Sequence, residues 1–562
     1  MKIALVYPPC NNRNCEPFPM PNIAIAALHG YLLANGETEV SQHDLDRPYF
    51  AGLRRRVGPD GERLLGDAEA IAAYCRGRAA PALERKLATL ADLLLSAGGI
   101  DRPDLLAVTF ADLREDPLPV NCSALIAARA RSRWGTRTAV GHANVPEGLF
   151  RAAMTRYGVF DFGVFANWGE EPLLRIVKKL RGGSEPLINT LEARRGAIRT
   201  HREKLPQRRL PPSPYYPQGI LRQYEVEDRE LAAAYRACGP EVARLFGRGD
   251  RELVVPYSFI STCSGSCAFC ANDAAVPSNC KSVDQVLEEM AALKAAGVTA
   301  LYFINSNFND SYAFADKLCD GMIKRRFGFL WSDCANLRRV DEALLAKMRR
   351  AGAVKLTFGM ETGSDRLLRF IRKGTTAVKI EKYLRASHRL GITNHIELIG
   401  GLPSETPEDI ALTTDFIRRN SGYVDIYSLN PFYLYRTSPF YRQAARFGLK
   451  PRPPAPGAAA QAGAFSERFD EAGGLKWKEK DRQIVESTRG LAGTINEVSS
   501  YGAIDYEHLH LRFFLYRKLG HARKALIGRI VPLMTRSFKP YNLDNFISGA
   551  GYFKHEWTRT AG

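Results

Sequence analysis

Cys263, Cys267 and Cys270 stand within eight residues, in the order Cys-Ser-Gly-Ser-Cys-Ala-Phe-Cys. Three thiolates on so short a loop can hold three irons of a [4Fe–4S] cubane and leave the fourth iron open. A structural zinc ion would normally take four protein ligands, with Cys280 available as the fourth. Three thiols buried for packing are the remaining reading. Gly265 and the placement of the loop after a strand both favour the cluster. The chain holds 11 cysteines in 562 residues, too few for a disulfide scaffold. In a cytosolic protein a group of thiols reads as a metal site.

The elements around this loop form a regular β/α series. Strands are expected at 253–260, 299–304, 327–332, 354–360, 393–399 and 424–429, with helices at 283–296, 312–325, 341–351, 365–390 and 407–420 between them. Six consecutive units predict a parallel, barrel-like sheet, open because it lacks two strands. In such sheets chemistry belongs at the carboxyl ends of the strands, where the cysteine loop falls.

A separate series precedes it. Apolar strands are expected at 2–7, 39–44, 104–109, 136–141 and 161–165. Helices fall between them, one of them GEEPLLRIVKKL, with acids first and bases last. This predicts a doubly wound, flavodoxin-like sheet of five parallel strands, whose ligands would sit at the carboxyl edge. Residues 183–250, with prolines concentrated at 206–217, read as a linker. PRPPAPGAAAQAGA opens a C-terminal part that is mainly helical. The expected domains are 1–182, a linker at 183–250, 251–445 and 446–562. The fold class is α/β.

Hydrophobic residues make up 45% and charged residues 25%, which excludes a disordered chain. No apolar run approaches the ~20 residues of a membrane span, so no membrane partner is expected. The first residues read as a strand and not as a signal peptide, which predicts a cytoplasmic protein. Lys and Arg number 79 against 60 Asp and Glu, a formal charge of +19. The excess is mostly Arg spread through Ala-rich helices, and no nucleic-acid motif accompanies it, so a nucleic-acid partner is not expected.

A CxxxCxxC loop after the first strand of a six-fold β/α barrel resembles the radical S-adenosylmethionine (SAM) superfamily. Phe269 matches that family's aromatic position before the third cysteine. The resemblance covers 250–445 and extends to FGMETGSDRLLRFIRKG at 358–374 and IELIGGLPSET at 396–406. It implies that Cys263, Cys267 and Cys270 ligate a [4Fe–4S] cluster whose open iron chelates SAM. Reductive cleavage would then yield a 5′-deoxyadenosyl radical, fed by an external electron donor such as flavodoxin or ferredoxin. By the same resemblance, Asn305, Ser306 and Asn307 stand where the family often has a Gly-Gly-Glu segment that meets the SAM amino group; this chain has no acid there. Glu361 resembles a SAM polar contact, and Ile399 to Leu402, with Gly401, resemble the segment near adenine. Asn336 stands where related enzymes often carry Arg.

The first 180 residues resemble the cobalamin-binding domain that precedes the radical SAM domain in one large subgroup. MPNIAIAALHGYLLANG, VGHAN and WGEEPL carry that likeness. The loop after the first strand, PPCNNRNCEPFP, has no histidine to ligate cobalt from below. The contacts implied for cobalamin are Asn12, Thr109, Phe110, Ala111, Gly141, Asn144 and Gly169. Tyr433, Tyr435 and Arg436, after the sixth strand, are candidate catalytic residues in the substrate pocket.

The resemblance implies a cobalamin-dependent radical SAM methyltransferase acting on an unactivated carbon of a small molecule or peptide. A cyclase or rearrangement enzyme with the same cofactors is the alternative. A metal-stabilised nucleic-acid-binding module leaves the six β/α units unexplained. A tRNA methylthiotransferase would want another set of three cysteines and a β-rich tail.

Overall fold

The computed structural model describes residues 1–10, 20–109, 117–142, 147–165, 168–194, 196–203, 210–231, 239–261, 263–271, 279–452, 467–499 and 509–535. It divides into two compact units, Met1–Pro206 with Pro212–Tyr224, and Gln207–Pro211 with Glu225–Gly562.

The N-terminal unit is built on β1 (Ile3–Tyr7), β2 (Val40–Asp44), β3 (Leu105–Thr109), β4 (Arg137–Gly141) and β5 (Phe162–Val164). These pair in parallel in the order β2-β1-β3-β4-β5. Helix α1 (Ile23–Ala34) starts where the Asn22 side chain accepts from the Ile25 amide at 3.1 Å. Helices α2 (Leu118–Trp134), α3 (Glu147–Tyr157) and α4 (Glu170–Leu180) follow. Leu5 and Val6, on opposite faces of β1, are both fully buried. A strand covered on both sides must read as a continuous apolar run, as IALVY does.

The sheet has seven strands, not the five expected. Two more, β6 (Thr190–Arg194) and β7 (Ala197–His201), form an antiparallel hairpin on β5 inside the segment read as a linker. Residues 212–224 of that segment form a strap that ends in helix α5 (Gln218–Tyr224). The strap lies so close to α1 that a Cβ on Gly30 would stand 1.9 Å from the Ser213 carbonyl oxygen. The Tyr215 amide donates to the Ala26 carbonyl, and Gln42 Nε2 donates to the Tyr215 carbonyl.

The second unit carries the six expected β/α units. Strands β8 (Val254–Tyr257), β9 (Ala300–Phe303), β10 (Leu330–Cys334), β11 (Ala353–Glu361), β12 (Thr393–Gly400) and β13 (Ile426–Pro431) pair in parallel in sequence order. Between them run α6 (Val283–Ala295), α7 (Tyr312–Lys324), α8 (Glu342–Arg350), α9 (Asp365–Phe370), α10 (Ala377–Arg389) and α11 (Pro407–Asn420). The last begins with a capping box between Thr406 and Asp409.

Among the described residues, three C-terminal α-helices belong to this unit. Helix α12 (Trp477–Val498) packs on β12, β13 and α11. Helix α13 (Leu509–Leu519) lies at the amino ends of the strands. There Tyr516 Oη bonds Thr393 Oγ1 at 2.7 Å, and Arg517 grips the buried Glu252 at 2.7 and 2.9 Å. Helix α14 (Lys524–Thr535) adds an ion pair between Lys524 and Asp425 at 2.9 Å. Among the described residues no helix is long and apolar enough to cross a membrane.

Candidate active site

The cysteine loop follows β8 and is pinned from two sides. The Ala268 amide donates to the Ile371 carbonyl at 2.8 Å, and the Ala268 carbonyl accepts from the Phe440 amide at 2.8 Å. Thr437 Oγ1 donates to the Ala271 carbonyl at 2.9 Å. The segment after β13, which carries Tyr433, Tyr435 and Arg436, therefore also braces the loop.

Two of the sulfurs sit among nitrogen donors. Cys263 Sγ accepts from the Gly265 amide at 3.2 Å and from Asn307 Nδ2 at 3.3 Å. Cys267 Sγ accepts from Arg338 Nη2 at 3.3 Å. The Cys263 thiol also donates to Asp310 Oδ1 at 3.7 Å, and that carboxylate accepts from the amide and hydroxyl of Ser264. Burial pushes the Cys263 thiol above its ordinary range, as it does Cys280, whose thiol rises to about 12. Among the described residues no three His, Cys, Asp or Glu side chains converge as the donors of one metal ion. A cubane asks for no such convergence, because each thiolate takes a different corner. Three thiols on one pinned loop, two of them already solvated by N–H groups, fit such a cluster.

Glu361 ends β11 in a left-handed conformation, φ +68°, that a non-glycine residue rarely adopts. Its Oε1 accepts from Lys373 Nζ at 2.6 Å. A Cβ on Gly359 would stand 2.6 Å from both of those atoms, so the pair depends on that glycine. Lys373 also lies 5.6 Å from the centre of the Phe269 ring. Burial opposes its charge, but Glu361 and Cys267 together hold the ammonium above its ordinary range.

The second-strand trio divides its work. Asn307 reaches Cys263. Asn305 is buried, and its Oδ1 accepts from the Phe259 and Ile260 amides at 3.0 and 3.3 Å while Nδ2 donates to Asp333 Oδ2 at 2.8 Å. It thereby ties the ends of β8, β9 and β10. Burial drives the Asp333 carboxyl well above the usual carboxylate range. Ser306 lies between the two, partly buried.

Gly401 and Ile399 stand at the end of β12. Gly401 has φ +79°, and a Cβ there would lie 2.5 Å from Ile484 Cα of α12. Its amide donates to Glu405 Oε2 and Ser487 Oγ. The buried Lys480 of α12 donates to the Leu402 carbonyl at 2.7 Å and pairs with Glu471 at 2.9 Å, so α12 fixes this turn. The rings of Tyr433 and Tyr435 lie 6.2 Å apart, and exposed Arg436 pairs with buried Glu467.

The barrel strands also carry a polar layer that the motifs did not reveal. His395 bonds Thr357 Oγ1 at 3.1 Å and Ser428 Oγ at 2.7 Å. Burial, with Lys355 and Arg512 nearby, holds its basicity well below the ordinary imidazole range.

In the N-terminal unit, Thr109 and Gly141 are register partners at the carboxyl ends of β3 and β4, and Gly169 precedes the first turn of α4. Asn12, Phe110, Ala111 and Asn144 lie outside the described residues. The β1–β2 end of the same edge holds a group that sequence reasoning missed. The Cys10 amide donates to Asp46 Oδ1 at 2.7 Å, the Asp46 amide to Asp44 Oδ1 at 3.0 Å, and Tyr224 Oη to Asp44 Oδ2 at 2.7 Å. Burial raises the Asp44 carboxyl to about 6 and that of Asp46 to about 7.

Comparison with known proteins agrees with this geometry. Residues 257–417 match the radical SAM superfamily. An uncharacterized methyltransferase from Pyrococcus horikoshii is 24% identical over 171 residues, 29% of this chain and 37% of that protein. The tryptophan 2-C-methyltransferase of Streptomyces laurentii is 26% identical over 183 residues, 30% of this chain and 31% of that one. The match thus spans about a third of the length of these relatives. TsrM from Kitasatospora setae, a radical SAM methyltransferase solved with cobalamin and a [4Fe–4S] cluster bound, superposes with a TM-score of 0.57 at 16% identity. The match covers 96% of this chain and 99% of that one. Residues 257–417 thus match the radical SAM superfamily, and over nearly its whole length the chain has the fold of TsrM.

Proposed function

We propose that this protein is a cobalamin-dependent radical SAM methyltransferase that methylates an unactivated carbon of a small-molecule or peptide substrate. The observation that carries the reading is the pinned three-cysteine loop at the carboxyl edge of the barrel sheet, with N–H donors aimed at two of its sulfurs. Cys263, Cys267 and Cys270 hold a [4Fe–4S] cluster. Bound there with SAM, the cluster supplies the one-electron chemistry that generates a 5′-deoxyadenosyl radical. The Glu361–Lys373 pair beside Phe269 and the turn at Ile399 and Gly401 are the polar and backbone groups for SAM. Thr109, Gly141 and Gly169 offer close backbone approach to a corrinoid at the N-terminal edge, which would deliver the methyl group. Tyr433, Tyr435 and Arg436 are proposed to line the substrate site, and a flavodoxin- or ferredoxin-type protein to supply electrons.

The test is an anaerobic assay with reductant, SAM, cobalamin and candidate substrates. The expected result is 5′-deoxyadenosine and S-adenosylhomocysteine in comparable amounts, with a product heavier by one methyl group. Deoxyadenosine without S-adenosylhomocysteine, beside a product that has lost hydrogen and gained no carbon, would replace methyl transfer by cyclisation.

A further inference from the structure

Cys267 has a guanidinium against its sulfur, and the surroundings of that guanidinium are built to keep it there. Arg338 Nη2 is 3.3 Å from Cys267 Sγ, and the same nitrogen donates to the Arg372 carbonyl at 3.3 Å. Nε donates to the Lys373 carbonyl at 2.7 Å. The side chain threads between two glycines. A Cβ on Gly374, which has φ +68°, would lie 2.7 Å from Arg338 Cδ, and one on Gly265 would lie 3.5 Å from Nη2. At the backbone, the Arg338 amide donates to Asn336 Oδ1 at 2.9 Å. That turn is held by the fully buried Asn309, whose Nδ2 donates to the Asn336 and Arg339 carbonyls at 2.9 and 2.7 Å. Among the described residues Arg338 pairs with no carboxylate. Lys373, the other cation near Cys267, is paired with Glu361, and the donors to Cys263 are neutral amides. Arg338 thus brings to Cys267 a positive charge that has no carboxylate partner among the described residues, and a guanidinium keeps its proton in a protein.

We propose that Arg338 is a positioning residue that sets the reduction potential of the cluster, by holding a fixed positive charge and an N–H···S hydrogen bond on Cys267. The proposal rests on the reading of this loop as a cluster site. Taking up one electron from an external low-potential reductant makes the cluster more negative by one unit, with no bond formed or broken. A cation at 3.3 Å from a ligating sulfur stabilises the reduced form more than the oxidised one. Hydrogen bonds to sulfur and local charge are among the levers that set such potentials. Without Arg338, the electron would have to come from a stronger reductant.

The test uses the full chain, reconstituted anaerobically, as wild type, Arg338→Gln and Arg338→Lys. Iron is counted and the cluster is titrated spectroelectrochemically without substrate. Arg338→Gln should keep about four irons. At the wild-type midpoint its ratio of reduced to oxidised cluster should fall about tenfold, equivalent to about 59 mV for one electron. Arg338→Lys, which keeps the charge, should fall less than threefold. An Arg338→Gln protein with its iron intact that titrates with wild type overturns the proposal. If Arg338→Gln loses its iron, Arg338→Lys decides: a ratio within threefold of wild type supports the proposal, whereas a tenfold fall or loss of iron overturns it. A wild-type protein that binds no cluster would instead remove the reading beneath the proposal, and the iron count separates the two failures.

Discussion

In the barrel sheet the loops at the carboxyl edge bring nitrogen to sulfur: Gly265 and Asn307 donate to Cys263, and Arg338 donates to Cys267. In the N-terminal sheet the edge at β1 and β2 is closed by oxygen acids. Asp44 and Asp46 accept from a backbone amide each, and Asp44 takes a phenol from the strap as well. The first edge presents N–H donors to sulfur. The second buries groups that remain neutral only while they keep their protons. Two largely parallel sheets thus differ at their carboxyl edges, one with N–H donors on thiol sulfurs and the other with buried acids.

The sharpest way to break this contrast is to remove sulfur. Changing Cys263, Cys267 and Cys270 together to Ala should abolish the cluster and all formation of 5′-deoxyadenosine. Amide exchange of β1 and β2 should stay as in wild type. Retention of about four irons per chain would overturn the cysteine assignment.

Next comes pH. The folded-state values of Asp44 and Asp46, about 6 and about 7, lie above the ordinary 3.8. The native state therefore holds more protons than the unfolded chain between about pH 4 and 7. The stabilisation from this pair is fully present below pH 4 and is lost as pH rises through 6 and 7. Asp44 alone accounts for ~3 kcal/mol over that range. Hydrogen-exchange protection of β1 and β2, corrected for intrinsic rates, should drop from pH 5 to pH 8 in wild type, and by much less in Asp46→Asn. Equal pH profiles for the two proteins would show that the acids are not buried as neutral groups.

The smallest expected effect lies within the N-terminal unit. Gly30→Ala drives a methyl into the Ser213 carbonyl and should destabilise the strap on α1 by about 2 kcal/mol, typical of overpacking. Protection of residues 212–224 should fall while the iron content stays constant. A parallel loss of iron would mean that the two regions are not independent.

Much of this was legible in the residues. Six β/α units and the cysteine loop follow from apolar runs, caps and Gly or Pro punctuation, which are local signals. The hairpin at Thr190–His201 was not, because its short strands lie in a polar, Arg-rich segment and gain their partner only from β5. Helix α3 was overlooked in the same way. Arg338 and Lys373 carry no spacing signal: one leaves a turn before α8 and the other a loop after α9, and only the folded sheet brings both to Cys267. Asn336 carries no charge to the loop; it accepts the Arg338 amide, and Arg338 is the residue that reaches Cys267. The Asp44–Asp46 group was missed for a similar reason. DLD reads as the end of a strand until Tyr224, 180 residues away, comes down on it.

The clasp of α13 on the amino ends of the barrel strands bears on how the chain is made. Glu252, fully buried in the finished protein, finds its guanidinium 265 residues later. At roughly 5–20 residues per second the ribosome needs on the order of tens of seconds to deliver Arg517 after Glu252 has emerged. During that interval the strands can assemble, but their open end exposes a carboxylate whose burial without a partner would be costly. Closure of that end of the sheet therefore waits until α13 has been made, long after the strands it covers.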